Sequence, residues 1–234
     1  MTGSLVSPEL RQRVRGLATP LAVGLGRLGL TPNALTLIGF AGTCLAAIAA
    51  GADSWVVAGV LLAVFGVFDL LDGALARATG RASSLGAFFD STFDRWGEGI
   101  AYVGIAWGCV AAGFPQGAIL AAAAMGSAFM VSYVRAKAES LAYSPGSGLA
   151  AVGVAPREVR IAILAIGLIA AGLAGVGPVP SAVCFQNTCV SWFGEFPATS
   201  GSPILGGTLG LIAILATITT IQRILNVRAQ SREG

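Results

Sequence analysis

Six apolar runs, at about 33–50, 55–74, 91–112, 117–135, 159–177 and 204–224, constrain this 234-residue chain more than any other feature. Each is close to the roughly 20 residues with which an α-helix crosses a bilayer. The composition agrees, because 55% of residues are hydrophobic and 11% charged, where a soluble domain carries about a quarter charged. The expectation is an all-α integral membrane protein, one domain over residues 1–234 with a six-helix bundle at 33–224. The 33 glycines and many alanines suit such a bundle, since small residues let helix backbones approach closely in lipid. Gly104 and Gly108, one turn apart, form one such pair.

The loops carry an orientation signal. Arg11, Arg13, Arg15 and Arg27 precede the first run, Arg77 and Arg81 follow the second, and Arg95 lies just inside the third. Arg135, Lys137, Arg157 and Arg160 flank the loop between the fourth and fifth runs, and Arg223, Arg228 and Arg232 end the chain. The opposite loops, near 51–54, 113–116 and 178–203, contain no basic residue. The positive-inside rule then puts both termini in the cytoplasm, which requires an even number of spans. The protein is expected in the cell membrane as a multi-pass protein. Within residues 1–30, Leu10, Val14, Leu17, Leu21, Leu25 and Leu28 recur at helical spacing with arginines on the other face. This pattern predicts an interfacial amphipathic helix, kinked at Pro20, rather than a cleaved signal peptide. A soluble helix packed on the cytoplasmic end of the bundle is the alternative.

The chain has no histidine, which leaves carboxylates to act as bases and metal ligands. Cys44 and Cys109 fall in apolar runs and read as small buried hydrophobes. Cys184 and Cys189 share a polar loop on the predicted oxidising side, where a disulfide and two free thiols are both open readings.

Ionisable groups are costly near a membrane, yet residues 69–98 hold five acidic side chains. Asp69 and Asp72 are three apart at the end of the second run, and Asp90 and Asp94 four apart at the start of the third. Each pair therefore projects from one helix face, and a hairpin turning around 78–85 brings the pairs together. Four converging carboxylates repel one another unless protonated, paired with arginine or bound to hard cations through oxygen. Magnesium, manganese or calcium is the ion class to expect, and two such ions about 4 Å apart suit phosphoryl chemistry. The plainer alternative is a salt-bridged helical cap using Arg77, Arg81 and Arg95.

Residues 69–94 read D-L-L-D-G-A-L-A-R, eight residues, then G-A-F-F-D-S-T-F-D. This stretch resembles the signature D-x2-D-G-x2-A-R-x8-G-x3-D-x3-D of the CDP-alcohol phosphotransferase family at every fixed position, and the six-span topology is similar too. The resemblance implies displacement of CMP from a CDP-linked lipid such as CDP-diacylglycerol by an alcohol hydroxyl, in phospholipid biosynthesis. It implies that Asp69, Asp72, Asp90 and Asp94 hold metal, two magnesium ions with manganese as a substitute, and that Asp94 also serves as the base. Pro32, Asn33, Thr36, Asp69, Gly73, Arg77 and Ser83 would bind the nucleotide end of the donor. Read alone, Pro32-Asn33-Ala34-Leu35-Thr36 is a helix start capped by Asn33, and Ser83 is a turn serine. The resemblance further implies a homodimer among membrane lipids, with the active site facing the cytoplasm and no nucleic-acid partner.

Arg135, Lys137, Arg157, Arg160 and Arg223 come from three helix ends on the cytoplasmic side, and their convergence would bind an anionic acceptor. Ser132-Tyr133-Val134-Arg135-Ala136-Lys137-Ala138-Glu139 and Gln222-Arg223 resemble the family's inositol-phosphate branch. That branch departs at Pro156-Arg157-Glu158-Val159-Arg160, which leaves open which arginine takes the anion, and in the exchange of Arg135 and Lys137. Inositol phosphate is the acceptor so implied. Glycerol 3-phosphate, as in a phosphatidylglycerophosphate synthase, is the alternative. In a different class stands a divalent-cation transporter, but that would spread its acidic residues over several spans near the midplane.

Overall fold

The computed structural model describes residues 19–143, 149, 152–177, 182–185, 188–191 and 200–232. The described part of α1 covers residues 19–27. It is followed by α2 (Pro32–Gly51), α3 (Trp55–Gly66), α4 (Phe68–Ala78), α5 (Ser84–Ala111), α6 (Pro115–Ser140), α7 (Arg157–Ala174) and α8 (Gly201–Gln230). Between α7 and α8, β1 (Ala182–Phe185) and β2 (Thr188–Ser191) form an antiparallel hairpin whose register sets Cys184 opposite Cys189.

Lipid offers no partner for backbone N–H and C=O groups, so apolar runs of this length close their hydrogen bonds within helices. Among the described residues, four stretches are long and apolar enough to cross a membrane: Pro32–Gly51, Trp55–Ala78, Pro115–Ser140 and Gly201–Gln230. The second joins α3 and α4, which are separated only at Val67. Helices α5 and α7 also coincide with predicted runs, but both carry charged residues, Asp90, Asp94, Arg95 and Glu98 along the N-terminal part of one and Arg157, Glu158 and Arg160 in the first turn of the other.

The core lies between α2, α3, α5, α6, α7 and α8 and is built largely of alanine and leucine. Small residues set its close crossings. A Cβ on Gly104 would collide with the backbone of Ala47, and one on Gly108 with the carbonyl of Ala50. This glycine pair is therefore consumed by the α2–α5 contact inside the chain. Gly59 plays the same part on α3, where a Cβ would come within 2.7 Å of the Ala165 carbonyl of α7.

One polar contact sits among these apolar layers. Arg160 of α7 and Glu98 of α5 are each only 1% exposed, and the guanidinium reaches the carboxylate at 2.9, 3.0 and 3.1 Å. Its remaining nitrogen donates to the Ala155 carbonyl at 3.1 Å. The connection from α6 to α7 is fastened on its other side by α8. Ala155 N–H donates to Thr219 Oγ1 at 3.1 Å, Val154 N–H to Gln222 Oε1 at 3.2 Å, and Arg223 Nε to the Val152 carbonyl at 3.1 Å.

At the N-terminal end, Ala22 is buried with Leu25 and Leu30 against Leu35, Leu71 and Leu75, while Leu21 and Leu28 point outward. This part of the predicted interfacial helix thus has one face on the bundle and an apolar face away from it. Leu10, Val14, Leu17 and the arginines between them lie outside the described residues. One local expectation needs correction. The cap of α2 is Thr31, whose Oγ1 accepts from Ala34 N–H at 3.2 Å, and not Asn33. Pro32 fills the first helical position, where its fixed φ and missing N–H cost nothing, so Asn33 falls inside the helix.

This packing makes three stability predictions. Gly104→Val should force α2 from α5 and cost about 1–3 kcal/mol, as overpacked cores do. Gly126→Ala, where a Cβ meets nothing within 4 Å, should leave the melting temperature in detergent almost unchanged. Glu98→Gln should cost about 3–5 kcal/mol by leaving Arg160 buried without its counter-ion, and the same thermal melt reads it.

Candidate active site

The α4–α5 hairpin brings the aspartates together. Helix α4 ends at Ala78, Gly80 takes a positive φ of 65° in the turn, and α5 starts at Ser84. Ser83 caps α5, its Oγ accepting from Gly86 N–H at 3.0 Å. The turn is thus shorter than the predicted 78–85. Across it, one carboxylate oxygen each from Asp69, Asp72 and Asp90 lies within 4.8 Å of the others. Asp72 is buried, and Thr36 of α2 donates its hydroxyl to Asp72 Oδ2 at 2.6 Å, which fixes how that carboxylate is turned.

Asp94, one turn further along α5, stands beside this group and not within it. Its Oδ1 meets Arg157 Nη1 at 3.0 Å and its Oδ2 meets Arg95 Nη1 at 3.3 Å. The same Nη1 of Arg157 also pairs with Asp69 Oδ2. At the head of α5, burial raises the Asp90 pKa, the Asp69 charge raises it further, and Arg157 and Arg95 offset part of the rise. At the head of α7, burial pulls the Arg157 pKa down, but Asp69, Asp94 and Glu98 outweigh it and hold the guanidinium charged.

Pro32, Asn33, Thr36, Gly73, Arg77 and Ser83 all line one cleft of about 210 Å³, together with Asp72 and Asp90. Gly73 has a visible reason to be glycine, because a Cβ there would sit 3.2 Å from Arg77 Nη1. The bare backbone lets the guanidinium lie across it. A second cavity of about 370 Å³ has apolar walls from Phe40, Phe65 and Ile169, with Asp69, Asp94 and Arg157 at its polar end. Thr36 lines both. The carboxylates therefore stand where a polar cleft meets an apolar cavity, an arrangement matched to a molecule with a phosphorylated end and hydrocarbon chains.

The five basic residues predicted to meet an acceptor have separate surroundings. Arg135 is exposed and paired with Glu139 one turn on, at 2.9 Å, and Lys137 lies in the last turn of α6. Arg157 is engaged with Asp69 and Asp94, and Arg160 with Glu98. Arg223 is buried and donates to the carbonyls of Val152 and Val131, the latter at 2.7 Å, so among the described residues its charge meets no carboxylate directly. It lies close enough to Arg135 and Arg160 to feel both charges. Sequence reading gave no role to Glu98 or Thr219. A lone acid inside an apolar run was the available signal for Glu98, whereas the buried threonine in α8 offered none.

The family described as CDP-alcohol phosphatidyltransferase matches residues 29–221. The chain is 42% identical over 163 residues to an archaetidylinositol phosphate synthase of Pyrococcus horikoshii, covering 70% of this chain and 80% of that one. It is 36% identical over 214 residues to a phosphatidylinositol phosphate synthase of Cutibacterium acnes, covering 89% and 91%. The phosphatidylinositol phosphate synthase of Mycobacterium tuberculosis, solved with CDP-DAG bound, superposes with a TM-score of 0.68 at 26% identity, covering 90% of this chain and 92% of that one. The same enzyme in complex with manganese and citrate gives a TM-score of 0.69 at 26% identity, with coverage of 90% and 88%. With its aspartate hairpin, its two adjoining cavities and a family match over most of its length, this chain belongs to the CDP-alcohol phosphatidyltransferase family of transferases.

Proposed function

We propose that this protein transfers the phosphatidyl-type group of a CDP-linked lipid to a hydroxyl of inositol phosphate and releases CMP. The observation that carries this reading is the group of three carboxylates within 4.8 Å of one another at the junction of a polar cleft and an apolar cavity. The cleft accepts the cytidine diphosphate end, with Arg77 positioned to meet a phosphate through its fork of donors. The apolar cavity accepts hydrocarbon. The archaeal and bacterial relatives differ in the lipid part of their names and share the inositol phosphate part, which favours inositol phosphate over glycerol 3-phosphate.

Asp69, Asp72 and Asp90 supply only oxygen donors, and the convergence of their charges at one point fits a hard divalent cation such as magnesium or manganese. Such an ion, when bound, offsets the diphosphate charge and makes CMP a better leaving group. The protein's own contribution is orientation and proton transfer. Thr36 turns Asp72 toward the group. Asp94 takes the proton of the acceptor hydroxyl as its oxygen bonds to the lipid phosphorus and the bond from that phosphorus to CMP breaks.

The bundle crosses the membrane six times, α5 and α7 included, with both termini and the aspartate hairpin on the cytoplasmic side. The arginines and lysine at that end support this orientation. The protein functions as a homodimer, and since Gly104 and Gly108 are occupied within the chain, the surface between copies lies elsewhere.

Purified protein given CDP-diacylglycerol and inositol 1-phosphate should release CMP only with magnesium or manganese. Asp72→Asn and Asp90→Asn should each lower the rate by about 100-fold or more, in the range seen when a group acting on the transition state is lost. Full activity in excess chelator would refute the metal-dependent reading. In a parallel assay with radiolabelled inositol 1-phosphate, free inositol, serine and glycerol 3-phosphate, label should enter lipid from inositol 1-phosphate. Incorporation from glycerol 3-phosphate alone would overturn the acceptor assignment.

A further inference from the structure

Arg157 and Arg160 sit one turn apart on α7, and their guanidiniums are held very differently. Arg160 has every nitrogen bonded, three times to Glu98 and once to Ala155. Arg157 places one nitrogen, Nη1, between Asp69 and Asp94, while its Nε is buried with no partner among the described residues. A guanidinium built in as a permanent strut is expected to have its donors satisfied, as Arg160 does. Arg157 fits a side chain with more than one resting place.

The carboxylate it grips is the informative part. Asp69 belongs to the group of three that can hold an ion, and its pairing with Arg157 uses Oδ2. A guanidinium and a divalent cation drawn to one carboxylate compete for it. The backbone that leads into Arg157, residues 152–155, is held from several directions, by Thr219, Gln222 and Arg223 of α8 and by Arg160 of α7. Exchange at Asp69 is then a swing of one long side chain, without movement of the connection that carries it. Arg157 also lines the cavity whose polar end faces the carboxylates, so a released guanidinium has space to enter.

We propose that Arg157 is an exchangeable internal cation, which neutralises Asp69 and Asp94 until a divalent ion binds and displaces it from Asp69, freeing its donors for a substrate phosphate. This rests on the reading of Asp69, Asp72 and Asp90 as the ion's ligands. Its consequence is an order of binding: the ion precedes the phosphate that Arg157 recognises, and each strengthens the other by the same factor. The guanidinium also keeps unlike charge between the carboxylates when no ion is present, which limits their mutual repulsion.

The test uses the full-length protein in detergent and Mn2+ alone as the probe. Free Mn2+ measured by electron paramagnetic resonance gives the affinity of the wild type, Arg157→Gln and Arg95→Gln. Arg157→Gln should bind Mn2+ about 10-fold tighter, a typical coupling between linked ligands. Arg95→Gln removes the same charge from the other oxygen of Asp94 without touching Asp69, and should change the affinity by less than about threefold on the same scale. Equal tightening in both variants would mean only that positive charge nearby repels the ion, and would overturn the proposal. A second measurement needs no variant. Phenylglyoxal labelling with peptide mass spectrometry should show Arg157 becoming more reactive as Mn2+ saturates the wild type, with Arg160 unreactive throughout. Mn2+ binding that leaves Arg157 protected would refute the exchange while keeping the metal reading. Failure of both wild type and Arg157→Gln to bind Mn2+ would refute both.

Discussion

The contact between Glu98 and Arg160 organises the catalytic end of the bundle. Burying two charges among apolar helices costs several kcal/mol per ion, and here the cost is met by bidentate geometry and a further bond to the Ala155 carbonyl. What it provides is register. Asp94 lies one turn before Glu98 on α5, and Arg157 one turn before Arg160 on α7, so fixing the deeper pair sets the shallower pair face to face. A rotation of either helix would separate Asp94 from Arg157, and a rotation of α5 would also carry Asp90 away from Asp69 and Asp72. The geometry of the carboxylates therefore depends on a contact that none of them makes.

Helix α2 closes the other side, and small residues let it do so. Gly104 and Gly108 allow its backbone against α5, and below that crossing Phe40 packs on Phe93 with ring centroids 5.0 Å apart. At its N-terminal end, this approach lets Thr36 bond Asp72 while Pro32 and Asn33 line the cleft opposite Gly73 and Ser83. Polar and apolar spaces thus meet at the carboxylates because one helix contributes to both. A membrane enzyme acting on a lipid diphosphate needs this division, since its reacting phosphorus lies between a water-soluble leaving group and hydrocarbon.

Much of this was readable without coordinates, for a physical reason. Lipid leaves backbone groups only internal partners, so apolar length reports helices directly, and the three- and four-residue spacings of the aspartates report a shared face. The pairing of charges was not readable. Arg160 and Glu98 are 62 residues apart, and nothing local distinguishes an arginine destined for a buried carboxylate from one left for a ligand. The same limit hid Thr219, which looks like any β-branched residue of an apolar helix yet holds Ala155. The cap of α2 differs for another reason: the proline at the first helical position places it at Thr31 and leaves Asn33 inside the helix.

Sorting the arginines by partner also narrows where an anion can bind. Arg160 is neutralised by Glu98, and Arg157 by two aspartates. Arg223 is bonded to neutral carbonyls and sits one turn from Arg135 across the α6–α8 contact, through Val131. Carbonyls orient a guanidinium without cancelling its charge, and Glu139 offsets Arg135 from an exposed position, where pairing is weak. Among the described residues, Arg223, Arg135 and Lys137 therefore gather positive charge at the ends of α6 and α8. On the proposed function, a phosphorylated acceptor is drawn toward those helix ends, while the donor's diphosphate would be met by the cation that Asp69, Asp72 and Asp90 can hold. On that reading, the two anionic substrates occupy neighbouring sites without sharing one counter-ion.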